Sequence, residues 1–452
     1  MRLTLLLFFS SFVISGQNIK GAILDIETNE ALKNVTVYFK KEKAGTASNE
    51  KGEFNLKIQS KIDLTDTISF SIIGYTTKNY TFSKLKEINF VVHLSKKTEN
   101  LNEITITSKR ELQSEISYKK LTQLKKGAYN FGSTLIGNKI YVIGGDESSI
   151  EDTSTKALEE SQSLDEFFKN LKMNFSWERY SGKLQTYNIE KDTTSLANLE
   201  FRKRAHHKMI NIHNKLYVFG GKTLSTNRKI EYLDDKIEVL DLDTHHIIVD
   251  NTNPHQAINF AAFAYQDNII AMGGSIKLKN NGKKVYSDKS HLYNITSGYW
   301  YELPKMTKPK EVSGVLLKNK IYLIGGFNQI PLSEIESYDF VTEKWEKEGD
   351  LFYGIENPAL TQYNNTLYIF NDDKILTYNI KTKILNEYRI DLNIKNAQIY
   401  YYKNNLYIIG GFTEYNYKKS PSSDLYSINL NEFSKTKVID SKKITQKTGK
   451  EN

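Results

Sequence analysis

The chain has 452 residues, 62 Lys and Arg against 53 Asp and Glu for a net charge of +9, and no cysteine. The missing cysteine excludes disulfides, thiolate metal sites, cysteine nucleophiles and an N-terminal lipidated cysteine. The positive balance does not describe a nucleic-acid footprint, which would cluster on one face. Lysines are instead scattered among acidic neighbours, and only Lys442, Lys443, Lys447 and Lys450 gather in a basic tail.

In chain order, MRLTLLLFFSSFVISGQ comes first: one early basic residue, an apolar run from Leu3 to about Ile14, then Ser15 and Gly16. This pattern predicts an export signal over 1–16, cleaved near Gly16–Gln17, and no later apolar stretch has the length of a membrane span. An exported chain without cysteine suits a bacterial envelope, in the periplasm, at the outer membrane or outside.

Residues 17–94 alternate in short runs: Val35, Val37 and Phe39, then Phe54, Leu56 and Ile58, then Ile68, Phe70 and Ile72. Turn signals at Thr28-Asn29, Asn49 to Gly52 and Gly74 separate them, so a small β-sandwich is predicted. The pieces Gly21-x-Ile23-x-Asp25, Ala31-Leu32-x-Asn34-Val35-x-Val37, Gly45-Thr46, Gly52-x-Phe54 and Ser71-Ile72-Ile73-Gly74-Tyr75 resemble the carboxypeptidase-regulatory-like (transthyretin-like) domain. That resemblance implies a non-catalytic module of the kind that leads exported proteins of Bacteroidetes-type bacteria. The following Leu101 to Thr107 resembles the segment trailing it in outer-membrane receptors, and within a 95–115 linker it is simplest as a linking strand.

The most informative feature lies in 116–431. Five apolar runs end in Gly-Gly, at Gly145, Gly221, Gly274, Gly326 and Gly411, and a sixth, TLYIFND, keeps the pattern to Asp372 without the glycines. Each follows a turn pair, Asn138-Lys139, Asn214-Lys215, Asp267-Asn268, Asn319-Lys320, Asn365-Thr366 and Asn404-Asn405, so each is the second strand of a hairpin. A third strand recurs as LQTYNI, IEVLDL, HLYNIT, IESYDF, ILTYNI and LYSINL. Six residues past its Asn or Asp stand Thr194, Ile247, Trp300, Trp345 and Leu385, inside a fourth. Four short strands per unit, spaced by 39 to 53 residues with one interval of 76, describe the blades of a propeller. The hydrophobic-Tyr-x-x-Gly-Gly and Tyr-Asp/Asn signature resembles kelch repeats. The fold class is therefore all-β, a six-bladed kelch-type β-propeller behind a small β-sandwich.

The long first interval holds EDTSTKALEESQSLDEFFKNLKMNF, where Leu158, Leu164, Phe167, Phe168 and Leu171 recur at helical spacing, predicting a helical insertion at about 150–175. Only five fourth strands follow the third strands. Counting 26 back from Gly144 reaches Tyr118, so the N-terminal strand ISYKKL is expected to complete the last blade. Residues 432–452 are expected to form a disordered basic tail.

No P-loop, Gly-x-Ser-x-Gly or His-Glu-x-x-His motif is present. His206-His207 and His245-His246 are adjacent pairs whose members point to opposite faces of a strand, so neither is a chelate. No catalytic residue, metal ligand or cofactor is assigned. Among enzymes that the kelch resemblance brings in, copper radical oxidases need a Cys–Tyr crosslink and are excluded. A sugar-active enzyme resembling the exported sialic acid mutarotases is the alternative, favoured by a buried Glu beside an Arg at the channel mouth.

The principal expectation is a non-catalytic binding or scaffolding protein with a protein or glycan ligand on one propeller face. Fourteen residues before each Gly-Gly position stand Asn130, His206, Asn259, Glu311, Asn357 and Asn396, all polar ahead of apolar strands. A position repeated in every blade becomes a ring at one channel mouth, with Arg204, His206 and Glu311 supplying charge. The competing reading has these side chains capping their own turns. Asp146, Lys222, Phe327 and the helical insertion are expected on the same face.

Overall fold

The computed structural model describes residues 17–96, 111–171, 179–227, 230–278 and 283–444. The expected leader and the linking strand at 101–107 lie outside the described residues. The chain divides into two units, Met1–Arg110 and Glu111–Asn452.

The first unit is a β-sandwich. One sheet orders Glu53–Ile58, Gln17–Asp25 and Val91–Leu94, and the other Ala44–Ala47, Thr36–Phe39, Thr67–Ser71 and Lys78–Thr81. Strict alternation puts Val37, Phe39, Phe54, Leu56, Ile58, Ile68 and Phe70 into one core, as a half-buried sheet face requires. A helix, Phe82–Glu87, departs from the all-strand expectation. Thr81 caps it by accepting from the Lys84 amide, and Phe82 and Leu85 bury its apolar side.

The second unit is the six-bladed propeller. Its inner strands are Gly132–Ile136, Lys208–Ile212, Ala261–Tyr265, Glu311–Leu317, Ala359–Tyr363 and Gln398–Tyr402. Each opens an antiparallel sheet whose second strand is the apolar run, which ends in Gly-Gly in five of the six blades. The expected fourth-strand residues fall in Thr193–Glu200, Ile247–Asp250, Tyr299–Leu303, Lys344–Asp350 and Ile384–Ile394. Six apolar clusters hold the ring, one between each pair of neighbours. Ile140 and Val142 of blade 1 meet Tyr407 and Ile409 of blade 6 in one of them, and this closes the circle.

The turn pairs sit one residue earlier than the sequence suggests. Lys139 pairs with Ile136 and Lys215 with Ile212, leaving Gly137-Asn138 and His213-Asn214 as the two-residue turns. His213 (φ 48°) and Asn214 (φ 59°) both take the left-handed conformation that such a hairpin demands.

The Gly-Gly pairs are structural. Gly221 has φ +80°, and a β-carbon there would lie 2.4 Å from the Ala205 carbonyl oxygen. The fifth blade dispenses with the pair because its chain turns back at once. Thr366–Asn379 is one extended stretch whose ends meet, with the Ile380 amide donating to Asn365 O at 2.9 Å, and Asp372 (φ 54°) supplies the bend.

Closure comes from the N-terminal side: Lys119 and Lys120 pair with Ser427 and Tyr426 as the outer strand of blade 6. The insertion also forms where expected, as helices Thr153–Glu160 and Leu164–Asn170 between the second and third strands of blade 1.

The tail expectation is corrected. Residues 432–444 form a short helix, Glu432–Lys435, and a strand, Asp440–Lys443, that pairs with Ile384–Glu387 on the outside of blade 5. Ile444 is buried with Leu351 and Leu385, and Phe433 and Val438 pack between blades 5 and 6. Three apolar anchors at wide spacing hold a segment whose polar composition concealed it. Residues 445–452 lie outside the described residues.

Candidate polar ring and cleft at one propeller mouth

A reversal of the backbone stands two residues before four of the six inner strands. Asn130, His206, Asn259 and Asn396 make it at φ between 50° and 60°, a conformation Asn adopts more readily than most residues. Just upstream, Tyr129, Ala205, Ile258 and Lys395 bridge to Asp146, Lys222, Ser275 and Phe412, the residues that follow the Gly-Gly pairs. In blade 4, Glu311 pairs directly with Phe327. The expected set and the post-Gly-Gly residues therefore share one mouth.

Five of the six expected ring residues are joined by side-chain hydrogen bonds running from blade to blade. Asn396 Nδ2 donates to Asn130 Oδ1 (2.9 Å), Asn130 Nδ2 meets His206 Nε2 (3.1 Å), His206 Nδ1 meets Asn259 Oδ1 (2.7 Å), and Asn259 Nδ2 donates to Glu311 Oε2 (3.0 Å). Asn357 stands apart, accepting from Ser313 Oγ at 3.0 Å. The arc links neighbours and does not cap its own turns.

Its direction is set at the carboxylate. An ionised Glu accepts only, so Asn259 must turn its amide NH2 toward Glu311 and its carbonyl toward His206. His206 then carries its proton on Nδ1 and accepts at Nε2, which orients Asn130 and in turn Asn396. Burial, aided by the Lys222 charge and opposed by the Asn259 hydrogen bond, lowers the His206 pKa to about 3, so the imidazole is neutral at physiological pH.

Glu311 is 1% exposed and takes two further donors on Oε1, the Ser275 hydroxyl and Lys284 Nζ, the latter at 2.9 Å. Lys284 also lies 5.3 Å from the Phe327 ring centroid. Nearby, burial raises the Glu356 carboxyl above its usual range; Lys284 opposes this shift and Glu311 adds to it.

Arg204 is corrected. It is fully buried, with Nε 3.2 Å from Asp234 and with its terminal nitrogens on Glu238 and on the Lys236 carbonyl. Two residues upstream of His206, it is turned into the blade and has no surface open to a ligand. The buried Glu at the mouth therefore has Lys284, not an Arg, as its cation.

Beside the arc a cleft of about 560 Å³ opens between the loops of blades 2 and 3, lined by Lys222, Glu231, Tyr232, Leu233, Gln256, Ile258, Ser275, Ile276 and Lys284. Ser275 and Lys284 belong to both cleft and arc. Lys222 pairs with Glu231, which also accepts from Tyr180 OH at 2.6 Å, while Tyr232 is half exposed. Of these, sequence reasoning singled out only Lys222. Glu231, Tyr232, Leu233 and Lys284 lie in segments that do not repeat, so no period marks them, whereas Ser275 and Ile258 hold repeated positions beside the Gly-Gly pair and the ring residue. Among the described residues no cluster of three or more His, Asp or Glu is placed to hold a metal ion.

A ring of four-stranded blades with Gly-Gly second strands and a polar mouth defines a kelch-type β-propeller. The chain belongs to the kelch-repeat family: it matches the KLHDC2/KLHL20/DRC7 Kelch-repeats domain over residues 130–371, more than half its length. Residues 19–106 match the CarboxypepD_reg-like domain, in agreement with the sandwich. Among curated proteins it is 27% identical over 135 residues to Kelch-like protein 41a of Danio rerio, covering 29% of this chain and 21% of that protein. It is 26% identical over 157 residues to Kelch-like protein 40 of Xenopus laevis (34% and 24%) and 24% identical over 144 residues to Kelch-like protein 23 of Homo sapiens (31% and 23%). The chain thus spans less than a quarter of these relatives' lengths.

Proposed function

We propose that this is an exported binding or scaffolding protein that holds a protein ligand at the propeller mouth, in the cleft between blades 2 and 3. The observation that carries the reading is the cleft itself. It combines apolar wall (Leu233, Ile258, Ile276), an aromatic face (Tyr232) and charged groups (Lys222, Glu231, Lys284), and its floor is fixed by the hydrogen-bonded arc. Such a mixture suits a polypeptide segment, and half-exposed Tyr is a residue type enriched at binding hot spots. Kelch repeats generally mediate protein–protein binding, which supports a polypeptide before a glycan. The apolar leader and the carboxypeptidase-regulatory-like domain support export to a bacterial envelope. Among the described residues no helix is long and apolar enough to cross a membrane.

The test is affinity capture of envelope proteins by the full chain, with a glycan array in parallel. Tyr232→Ala and Lys222→Ala should each weaken binding of a captured protein about tenfold or more, the effect of losing a hot-spot contact, with Tm unchanged. Binding untouched by both variants would move the site elsewhere, and glycan binding alone would replace the class of ligand.

A further inference from the structure

The central channel contains a cation that the proposed ligand cleft does not use. Its cavity of about 200 Å³ is lined from all six inner strands, including Thr134, Lys208, Ala262, Ser313, Leu360 and Gln398. We propose that Lys208 is the anchor of a binding site for a small monovalent anion, a halide or a short carboxylate, inside this channel.

The contrast with the other sheltered lysines carries the argument. Lys310 is paired with Glu336, Lys284 with Glu311, and Lys222 with Glu231, while Lys419 lies over two aromatic faces, 4.0 Å from the Tyr129 and 3.9 Å from the Phe412 ring centroid. Lys208 Nζ has no hydrogen bond or ion pair among the described residues, although it sits on the channel wall two residues inside the arc. A sheltered ammonium without a counter-charge is costly, and proteins ordinarily supply the counter-charge or leave the group to solvent. Burial alone shifts Lys208 downward, to about 8, so the amine remains mostly protonated at neutral pH. The channel also offers neutral donors: the Thr134 hydroxyl and the Gln398 amide line it and have no side-chain partner among the described residues. One cation with neutral donors, in a space of about seven water volumes, recognises a small anion, and a doubly charged phosphate ester would bring more charge than one lysine offsets.

The experiment uses the full chain at fixed ionic strength, replacing gluconate stepwise with bromide or with acetate. The wild type should gain Tm saturably, as preferential binding to the folded state requires, and Lys208→Met should lose the response. Bromide-soaked crystals should show anomalous density within hydrogen-bonding reach of Lys208 Nζ. A response to bromide alone assigns a halide site, and a response to acetate alone assigns a carboxylate site. Equal responses in wild type and Lys208→Met, or no response in either, would overturn the proposal. If Lys208→Met does not fold, Lys208→Gln takes its place, and bromide-soaked wild-type crystals without density at Nζ would reject the site.

Discussion

Asn259 donates its side-chain amide to Glu311 across 3.0 Å, and this single contact fixes the orientation of every group upstream of it in the arc. Because the carboxylate can only accept, the order Asn396, Asn130, His206, Asn259, Glu311 has one sense. Glu311 is thus a structural terminus as well as a mouth residue. Glu311→Ala therefore removes the anchor of the arc as well as a group at the mouth.

Glu311→Gln tests this sense. Lys284 and the Ser275 hydroxyl keep the Gln carbonyl on their side, so the new NH2 group faces Asn259. Asn259 must then flip, presenting its NH2 to His206 Nδ1 and moving the imidazole proton to Nε2. Imidazole 15N shifts should report that tautomer exchange, with a loss of about 1–3 kcal/mol for the disturbed buried network. An unchanged Nδ1–H tautomer would show that the arc is not directed from Glu311.

For Arg204 the expected loss is larger. Its charge is buried between Asp234 and Glu238, so Arg204→Ala leaves two carboxylates without their shared cation, at about 3–5 kcal/mol. Arg204→Lys should recover only part, since one ammonium cannot reproduce the fork that reaches both acids and the Lys236 carbonyl. Urea denaturation of both variants measures it. A near-neutral Arg204→Ala would return the residue to the list of mouth candidates.

The contrast between Arg204 and His206 shows what the sequence could reveal. Blades were legible because each repeats the same turn and the same Gly-Gly approach, and the ring position because it recurs fourteen residues before each pair. Arg204 was misplaced because its partners, Asp234 and Glu238, lie at least thirty residues away and leave no local trace. The cleft was hidden for a related reason: Glu231, Tyr232 and Lys284 sit in loops of unequal length, where no period operates. The helix Phe82–Glu87 was missed because its six residues are too few for a 3.6-residue period to declare itself.

The histidines predict an acid-labile propeller. Burial brings His206 and His255 to about 3, His207 well below its usual value, and His291 down as well. With folded pKa values below the unfolded value near 6.5, the unfolded chain binds more protons as the pH falls. Stability is therefore full above about 6.5 and lost progressively toward 3, by up to about 1.4 kcal/mol per pH unit for each fully depressed histidine. Thermal melts of residues 111–452 between pH 7 and pH 4 should show Tm falling from the start of that window. A Tm flat down to the carboxylate range would reject the assignment to histidine.

The last prediction concerns the two ends of the propeller. Deleting 111–123 removes the outer strand of blade 6 together with Ile116, which is buried between blades 5 and 6. Sequence alone suggested that cutting after Asn431 would cost little. In the structure that cut strips the strand Asp440–Lys443 from blade 5 and the Lys442 Nζ contact to the Leu351 carbonyl at 3.0 Å, and it uncovers the pocket that Ile444 fills. The fit there is close, since a β-carbon on Gly349 would fall 2.1 Å from Ile444 Cγ2. Ile444→Ala should cost about 2–4 kcal/mol, as for other buried isoleucines, and truncation after Asn431 should cost at least as much. Chemical denaturation of the two proteins measures both losses. If the Asn431 truncation matched wild type, the C-terminal strand would be a covering on a ring already closed by Lys119 and Lys120, and the stability of blade 5 would reside wholly in its own four strands.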